Sequence, residues 1–175
     1  MKNILECAKK IKCVITDLDG VLTDGLLYID NHRNELKTFH IHDGVGLKLL
    51  MSAGMDVAVI TGSHNAVVDH RMQQLGIKYY FKDQLDKRAT YEHIKAILHL
   101  KDEEIAYIGD DIPDIPLIEQ AGLGVAVANA VKPVKEIADW QTEFAGGHGA
   151  VRELCDLILT AQNKMAEAIK NYLKL

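Results

Sequence analysis

The sequence predicts an α/β protein of Rossmann-like type, a doubly wound parallel sheet with an inserted β-hairpin flap and no second domain. Three observations carry this. Short, continuously apolar runs read as strands buried on both faces. Helical patterns, several of them closed by glycine, alternate with those runs, as a sheet covered on both sides requires. Acidic or hydroxyl residues stand directly behind several strands, where open parallel sheets place their ligands.

The first strand is Lys12 to Thr16, ending at Asp17, Asp19 and Gly20. From Gly25 to Ile41, Leu27, Ile29, Leu36 and Phe39 flank a polar turn at Asp30–Asn34, the pattern of a hairpin. A helix spans Val45 to Ala53 and stops at Gly54; a strand spans Asp56 to Ile60 and ends at Thr61 and Gly62. The next helix runs from His64 to Leu75, closed by Gly76, and Tyr79–Phe81 is a weaker strand. A helix from Lys87 to Leu100 leads to the strand Ile105–Ile108, which ends at Gly109, Asp110 and Asp111. Pro113 to Ala121 is helical, Gly124 to Val127 is the fifth strand, and Pro133 opens another helix. One long helix is expected over about 149–174. Its stripe of Val151, Leu154, Ile158, Ala161, Met165, Ala168 and Tyr172 fits either its own sheet or, in the distal half, a subunit interface.

The 175 residues suit one domain spanning 1–175, and 48% hydrophobic with 26% charged residues is a globular balance. A net charge of −5 argues against holding nucleic acid or anionic lipid by bulk charge. Any phosphate must therefore be met by local cations or a metal. Cys7, Cys13 and Cys155 form no framework and read as reduced thiols. No apolar run spans a membrane, and Met1–Lys12 lacks the core of a secretory signal. A soluble, cytoplasmic protein is expected.

The strand-end residues suggest one reaction. Clustered carboxylates repel unless a cation intervenes, and all-oxygen ligands favour Mg²⁺. Asp17 is then the nucleophile that attacks phosphorus. Asp19 is the acid that protonates the leaving oxygen and the base that later activates water. Thr61 holds phosphoryl oxygens and Lys87 stabilises their charge. Asp110 binds the metal, while Asp111 and Asp114 orient its waters. Taken singly the motifs are weak. Asp-x-Asp-Gly is often a turn and is no EF-hand here, and Asp110–Asp114 resembles an aspartate string that belongs to all-helical enzymes. His40 and His42 are read as sharing a strand face, in contact with substrate, with a metal or with solvent; His64, His93 and His99 are read as surface residues on helices.

Together, "VITDLDGVLTDG", "VITG", the lysine of "QLDKR" and "YIGDDIPD" resemble the haloacid dehalogenase-like hydrolases in their order. With a hairpin in place of a cap domain, the chain is similar to the capless branch. "AYIGDDIPDIPLIEQAGLGVAVANA" and "GGHGAVRELCDLILTAQNK" place nearly all of it near phosphatases of eight-carbon ulosonate 8-phosphates. The resemblance implies Mg²⁺ held by Asp17, the backbone carbonyl of Asp19 and Asp110. It implies a homotetramer whose hairpins and neighbouring C-terminal regions close the sites. It also implies substrate contacts from His40, Ile41, His42, Asp43, Gly44, Lys48, Ser63, Arg71 and Lys87. Ser63, His42 and His148 stand where arginine is expected. Neither serine nor histidine reproduces arginine's bidentate grip on a carboxylate, which leaves Arg71 and Lys48 for that task. The rival readings are a phosphatase for a nine-carbon ulosonate 9-phosphate or another sugar phosphate, a receiver-type phosphoacceptor, and a catalytically weak scaffold subunit.

Overall fold

Six parallel strands form the centre of the protein in the computed structural model, which describes residues 3–174. In chain order the elements are α1 (Ile4–Lys10), β1 (Cys13–Thr16), β2 (Tyr28–Ile29), β3 (Glu35–Leu36), α2 (Ile41–Ser52), β4 (Asp56–Ile60), α3 (Ala66–Leu75) and β5 (Tyr79–Phe81). There follow α4 (Lys87–Ile97), β6 (Ile105–Gly109), α5 (Ile115–Gln120), β7 (Leu123–Ala126), α6 (Lys132–Ile137), β8 (Trp140–Gln141), α7 (Ala150–Ala161) and α8 (Met165–Tyr172). The sheet order is β5-β4-β1-β6-β7-β8, while β2 and β3 form a separate antiparallel pair. Helices α1, α2, α7 and α8 pack together, and α4, α5 and α6 form a second group against the sheet. Val14, Ile15, Val59, Ile60, Tyr107, Ile108 and Val125 lie buried between them, which explains their unbroken apolar runs. Among the described residues, no helix is long and apolar enough to cross a membrane.

Strand register sets the site. Thr16 pairs with Val59 on one side and with Ile108 on the other. Asp17 therefore leaves β1 level with Ile60 and Gly109, one residue before Thr61 and Asp110 emerge from the neighbouring strands. Chemistry-bearing residues more than ninety positions apart reach one edge because three strands end together.

Several elements differ from the sequence expectation. Helix α1 and strand β8 were not expected; both are short, and the two residues of β8 carry no readable alternation. Helix α2 begins at Ile41, not Val45, so His42 is helical and His40 is the residue before the first turn. Gly44 and Gly46 disguise this, because glycine disfavours helix. They sit where α2 packs closely: a Cβ on Gly46 would stand 3.2 Å from the Arg152 backbone, and one on Gly44 2.7 Å from the end of the Arg71 side chain. The hairpin strands are accordingly shorter than 25–41 suggests. The long C-terminal helix is two helices, broken at Asn163, whose φ is 56°. Gln162 caps the end of α1 at Ala8 and Ile11, and α8 turns back onto α2 through Ser52 and Ala168. A stripe with spacings of three and four does not reveal such a break.

Candidate active site

Asp17 continues the sheet by one bond, its N–H donating to Ile108 O at 3.0 Å. The chain then coils on itself, with Val21, Leu22 and Thr23 amides all donating to Leu18 O, while Leu18, Val21 and Leu22 are buried as anchors. Gly20 has φ +88°, and a Cβ there would stand 2.0 Å from Asp110 Oδ2. Only glycine allows both that backbone and that approach.

Lys87, the first residue of α4, is buried, and its Nζ reaches Asp17 Oδ1 at 2.6 Å and Asp114 Oδ1 at 2.7 Å. Asp114 also accepts from the buried Tyr107 hydroxyl at 2.7 Å, and its Oδ2 accepts from the Asp110 amide at 3.0 Å. Burial, then the Asp114 charge, push Asp17 up to about 8 against the pull of Lys87. Burial, Asp114 and Asp111 raise Asp110 to about 6. Burial alone would lower the Lys87 pKa, but Asp17 and Asp114 outweigh it and hold the ammonium form. Crowded carboxylates with raised pKa values are the environment a cation relieves.

Asp17, Asp110 and Asp114 each offer an oxygen within 4.8 Å of the others. These hard donors fit Mg²⁺. Asp114 joins this cluster, but its oxygens are already engaged by Lys87, Tyr107 and the amides, so it braces the site. Asp111 caps the turn after β6 through the Ile112 amide, at 2.7 Å.

Thr61 is buried, and its Oγ1 lies 3.0 Å from both the Ser63 amide and the Ser63 hydroxyl. Ser63 Oγ donates to Asp19 Oδ2 at 2.7 Å. With Gly25, Gln84, Leu85 and Pro113, these residues line a cavity of about 440 Å³ at the carboxyl ends of the strands. A larger cleft, of about 620 Å³, lies elsewhere among Lys10, Lys12, Glu103 and Glu104, whose charges are already paired.

Of the expected substrate residues, Ser63 and Lys87 line the strand-end cavity and the others lie outside its lining. His40 and His42, rings 5.0 Å apart, share a separate cleft of about 380 Å³ with His148 and Arg152. Asp43 is buried and accepts from the Arg152 amide at 2.8 Å. Ile41 is exposed, Lys48 lines a shallow surface depression, and Arg71 lies over the Phe39 ring beside Gly44. Sequence reasoning missed Tyr107, Lys37, Glu35 and Asn65. Only the Glu35-Leu36-Lys37 alternation hinted that two charges share one strand face.

A model of the haloacid dehalogenase-like hydrolases matches residues 80–154. The 3-deoxy-D-manno-octulosonate 8-phosphate phosphatase of Yersinia pestis is 43% identical over 166 residues, covering 95% of this chain and 89% of that protein. A subfamily III A hydrolase structure from Legionella pneumophila superposes with TM-score 0.97 at 68% identity, covering 98% of this chain and 94% of that one. The Moraxella catarrhalis octulosonate 8-phosphate phosphatase, solved with magnesium, phosphate and KDO, matches with TM-score 0.92 at 38% identity and 97% coverage of both chains. Fold, strand-end chemistry and near full-length identity agree: the chain belongs to the haloacid dehalogenase-like hydrolases and is similar over nearly its whole length to the 3-deoxy-D-manno-octulosonate 8-phosphate phosphatases.

Proposed function

We propose that this protein is a Mg²⁺-dependent phosphomonoesterase that hydrolyses 3-deoxy-D-manno-octulosonate 8-phosphate to the free sugar acid and inorganic phosphate. The observation that carries the chemistry is Asp17, buried at the edge of the sheet and held by Lys87 beside Asp110 and Asp114. The substrate class rests on the near full-length likeness to the phosphatases of that compound.

Lys87 fixes one Asp17 oxygen and leaves the other for attack on phosphorus, in line with the departing sugar oxygen. As the Asp17–phosphorus bond forms and the phosphorus–sugar oxygen bond breaks, Asp19 gives that oxygen its proton. Asp19 then takes a proton from water, which attacks the phosphorus of the aspartyl-phosphate and restores the Asp17 carboxylate. Thr61 and the amides beyond β4 hold the phosphoryl oxygens, and Lys87 balances their charge. Asp17, the Asp19 carbonyl and Asp110 are the residues to hold Mg²⁺, which supplies the positive charge that lets two anions meet. Asp111 and Asp114 stand behind them.

The assembly we propose is a cytoplasmic homotetramer joined through the hairpin. Strands of two residues are marginal alone, and this hairpin exposes Leu26, Leu27, Ile29 and Leu36. A neighbour there would bring further side chains, such as those of the histidine cleft or Arg71, toward the sugar's carboxylate.

The test is phosphate release from a panel of phosphorylated ulosonates, with and without Mg²⁺. The octulosonate 8-phosphate is expected to give the highest kcat/KM, and Asp17→Asn to lose roughly 10³-fold or more. An Asp17→Asn enzyme with undiminished turnover would overturn the nucleophile. A higher kcat/KM for a nine-carbon 9-phosphate would reassign the substrate, the outcome that Ser63, His42 and His148 make worth testing.

A further inference from the structure

Lys37 follows β3 in the hairpin, a segment whose other side chains mostly face solvent, yet its own side chain is only 5% exposed. A buried ammonium must be paired, and this one is paired twice. Its Nζ contacts Asp19 Oδ1 at 2.5 Å and Glu35 Oε1 at 3.0 Å. Glu35 is anchored in turn, its Oε2 accepting from Asn65 Nδ2 at 3.0 Å, and Asn65 caps the start of α3. On the far side of Asp19, Oδ2 accepts from Ser63. Both oxygens of Asp19 are thus gripped, one from the hairpin and one from the loop after β4. Alternation along the strand turns Glu35 and Lys37 inward and leaves Leu36 63% exposed.

We infer that Lys37 is a positioning residue: it aims the Asp19 carboxyl at the scissile oxygen and, after phosphoryl transfer, at the attacking water. The inference rests on the phosphatase reading above. Asp19 is the most exposed member of the catalytic group, its side chain 37% accessible, and lacks the packing that holds Asp17. Without Lys37 it hangs from Ser63 alone. A misplacement of about 1 Å costs on the order of 10²-fold in rate.

The consequence is specific to the steps in which Asp19 moves a proton. With p-nitrophenyl phosphate, nitrophenolate leaves as a stable anion and needs no proton from Asp19. Its kcat/KM therefore reports attack by Asp17 alone, whereas kcat includes hydrolysis of the aspartyl-phosphate, for which Asp19 must accept a proton from water. For Lys37→Met, kcat/KM with p-nitrophenyl phosphate is expected to stay within about twofold. Its kcat and KM fall together, roughly 30-fold or more, and a burst of nitrophenolate appears. With a sugar phosphate, whose alkoxide needs the proton, kcat/KM itself falls on the order of 10²-fold. Glu35→Gln, which loosens Lys37 from its far end, gives the same pattern, smaller. Equal losses in kcat and kcat/KM for the aryl ester, or no loss for either substrate, would overturn the inference. A wild-type protein that released phosphate from neither ester would instead remove the phosphatase reading on which it stands.

Discussion

At the carboxyl edge of the sheet, Asp114 accepts from Lys87, Tyr107 and the Asp110 amide, so displacing one group leaves another unpaired in the interior. The hairpin above that edge is held by two strand residues a side and shows its leucines to solvent. One region is complete within a single chain; the other has an inner polar face that is satisfied and an outer apolar face that is not. The difference separates two tasks. In the phosphatase proposed above, bond-breaking chemistry would be held by the core, while closure over the substrate would be left to an element that a neighbour could cover.

The comparison breaks most visibly if the edge does not hold a cation. Stripping divalent ions is expected to abolish turnover, and Mg²⁺ to restore it. Protons compete with the metal for the same oxygens, so apparent Mg²⁺ affinity should strengthen as pH rises through the about 6 of Asp110 and toward the about 8 of Asp17. Titrating activity against Mg²⁺ at several pH values reads this directly, and an affinity flat across that range would refute it.

The edge also depends on a loop far away in sequence. A Cβ on Gly146 would stand 1.7 Å from Gly20 O, and the Gly147 amide donates to Val21 O at 2.9 Å. Gly146→Ala must push the Asp17–Thr23 loop aside. The expected cost is about 1–3 kcal/mol of stability. The accompanying loss in kcat is expected to be on the order of 10²-fold, because Asp17, the proposed nucleophile, moves with the loop. Denaturant unfolding and steady-state kinetics check both halves; a stable variant with native kcat would show that the loop is not a support.

The same division governs what the sequence discloses. Asp17, Thr61 and Asp110 could be placed because each follows a strand whose apolar run is unbroken, and Lys87 because it opens a helix after another. Such runs exist because both sheet faces are covered. Asp114 was placed near the site but not as the brace for Lys87 and Tyr107, since spacing gives proximity and not hydrogen-bond partners. Lys37 could not be assigned, because the direction a hairpin folds over a sheet is set by tertiary contacts with Asp19 and Asn65. Gly44 and Gly46 misled for a related reason: they answer to helix packing, which overrides local propensity.

On the hairpin, a charge on the apolar face should leave each subunit intact and separate the copies. Leu27 is 72% exposed and Leu36 63%. Leu27→Asp with Leu36→Ser is expected to change the stability of the isolated subunit by less than about 0.5 kcal/mol, as for other exposed positions. Light scattering should then show a monomer in place of the tetramer proposed for the wild type, with KM for the sugar phosphate raised. An unchanged mass would mean that the hairpin is not the seam.

The smallest expected effect sharpens the comparison at its boundary, where α2 meets α7 beneath the histidine cleft. Asp43 is buried and accepts from the Arg152 amide at 2.8 Å, capping α7 from outside that helix. Burial raises its pKa, and the Arg152 and Gly149 amides, with His40 and His42, offset only part of that rise. A carboxyl whose folded pKa is raised favours folding below its unfolded value, and that contribution is lost as pH rises through the folded value. Asp43→Asn keeps the acceptor and discards the charge. The variant should therefore melt with the wild type in acid and gain on it as pH rises toward neutrality, with kcat unchanged, because the Asp17 cluster does not touch this contact. A melting difference that ran the other way would mean that the charged form of Asp43 holds α7 in place, and the strut between the two helices would then be an ionic one.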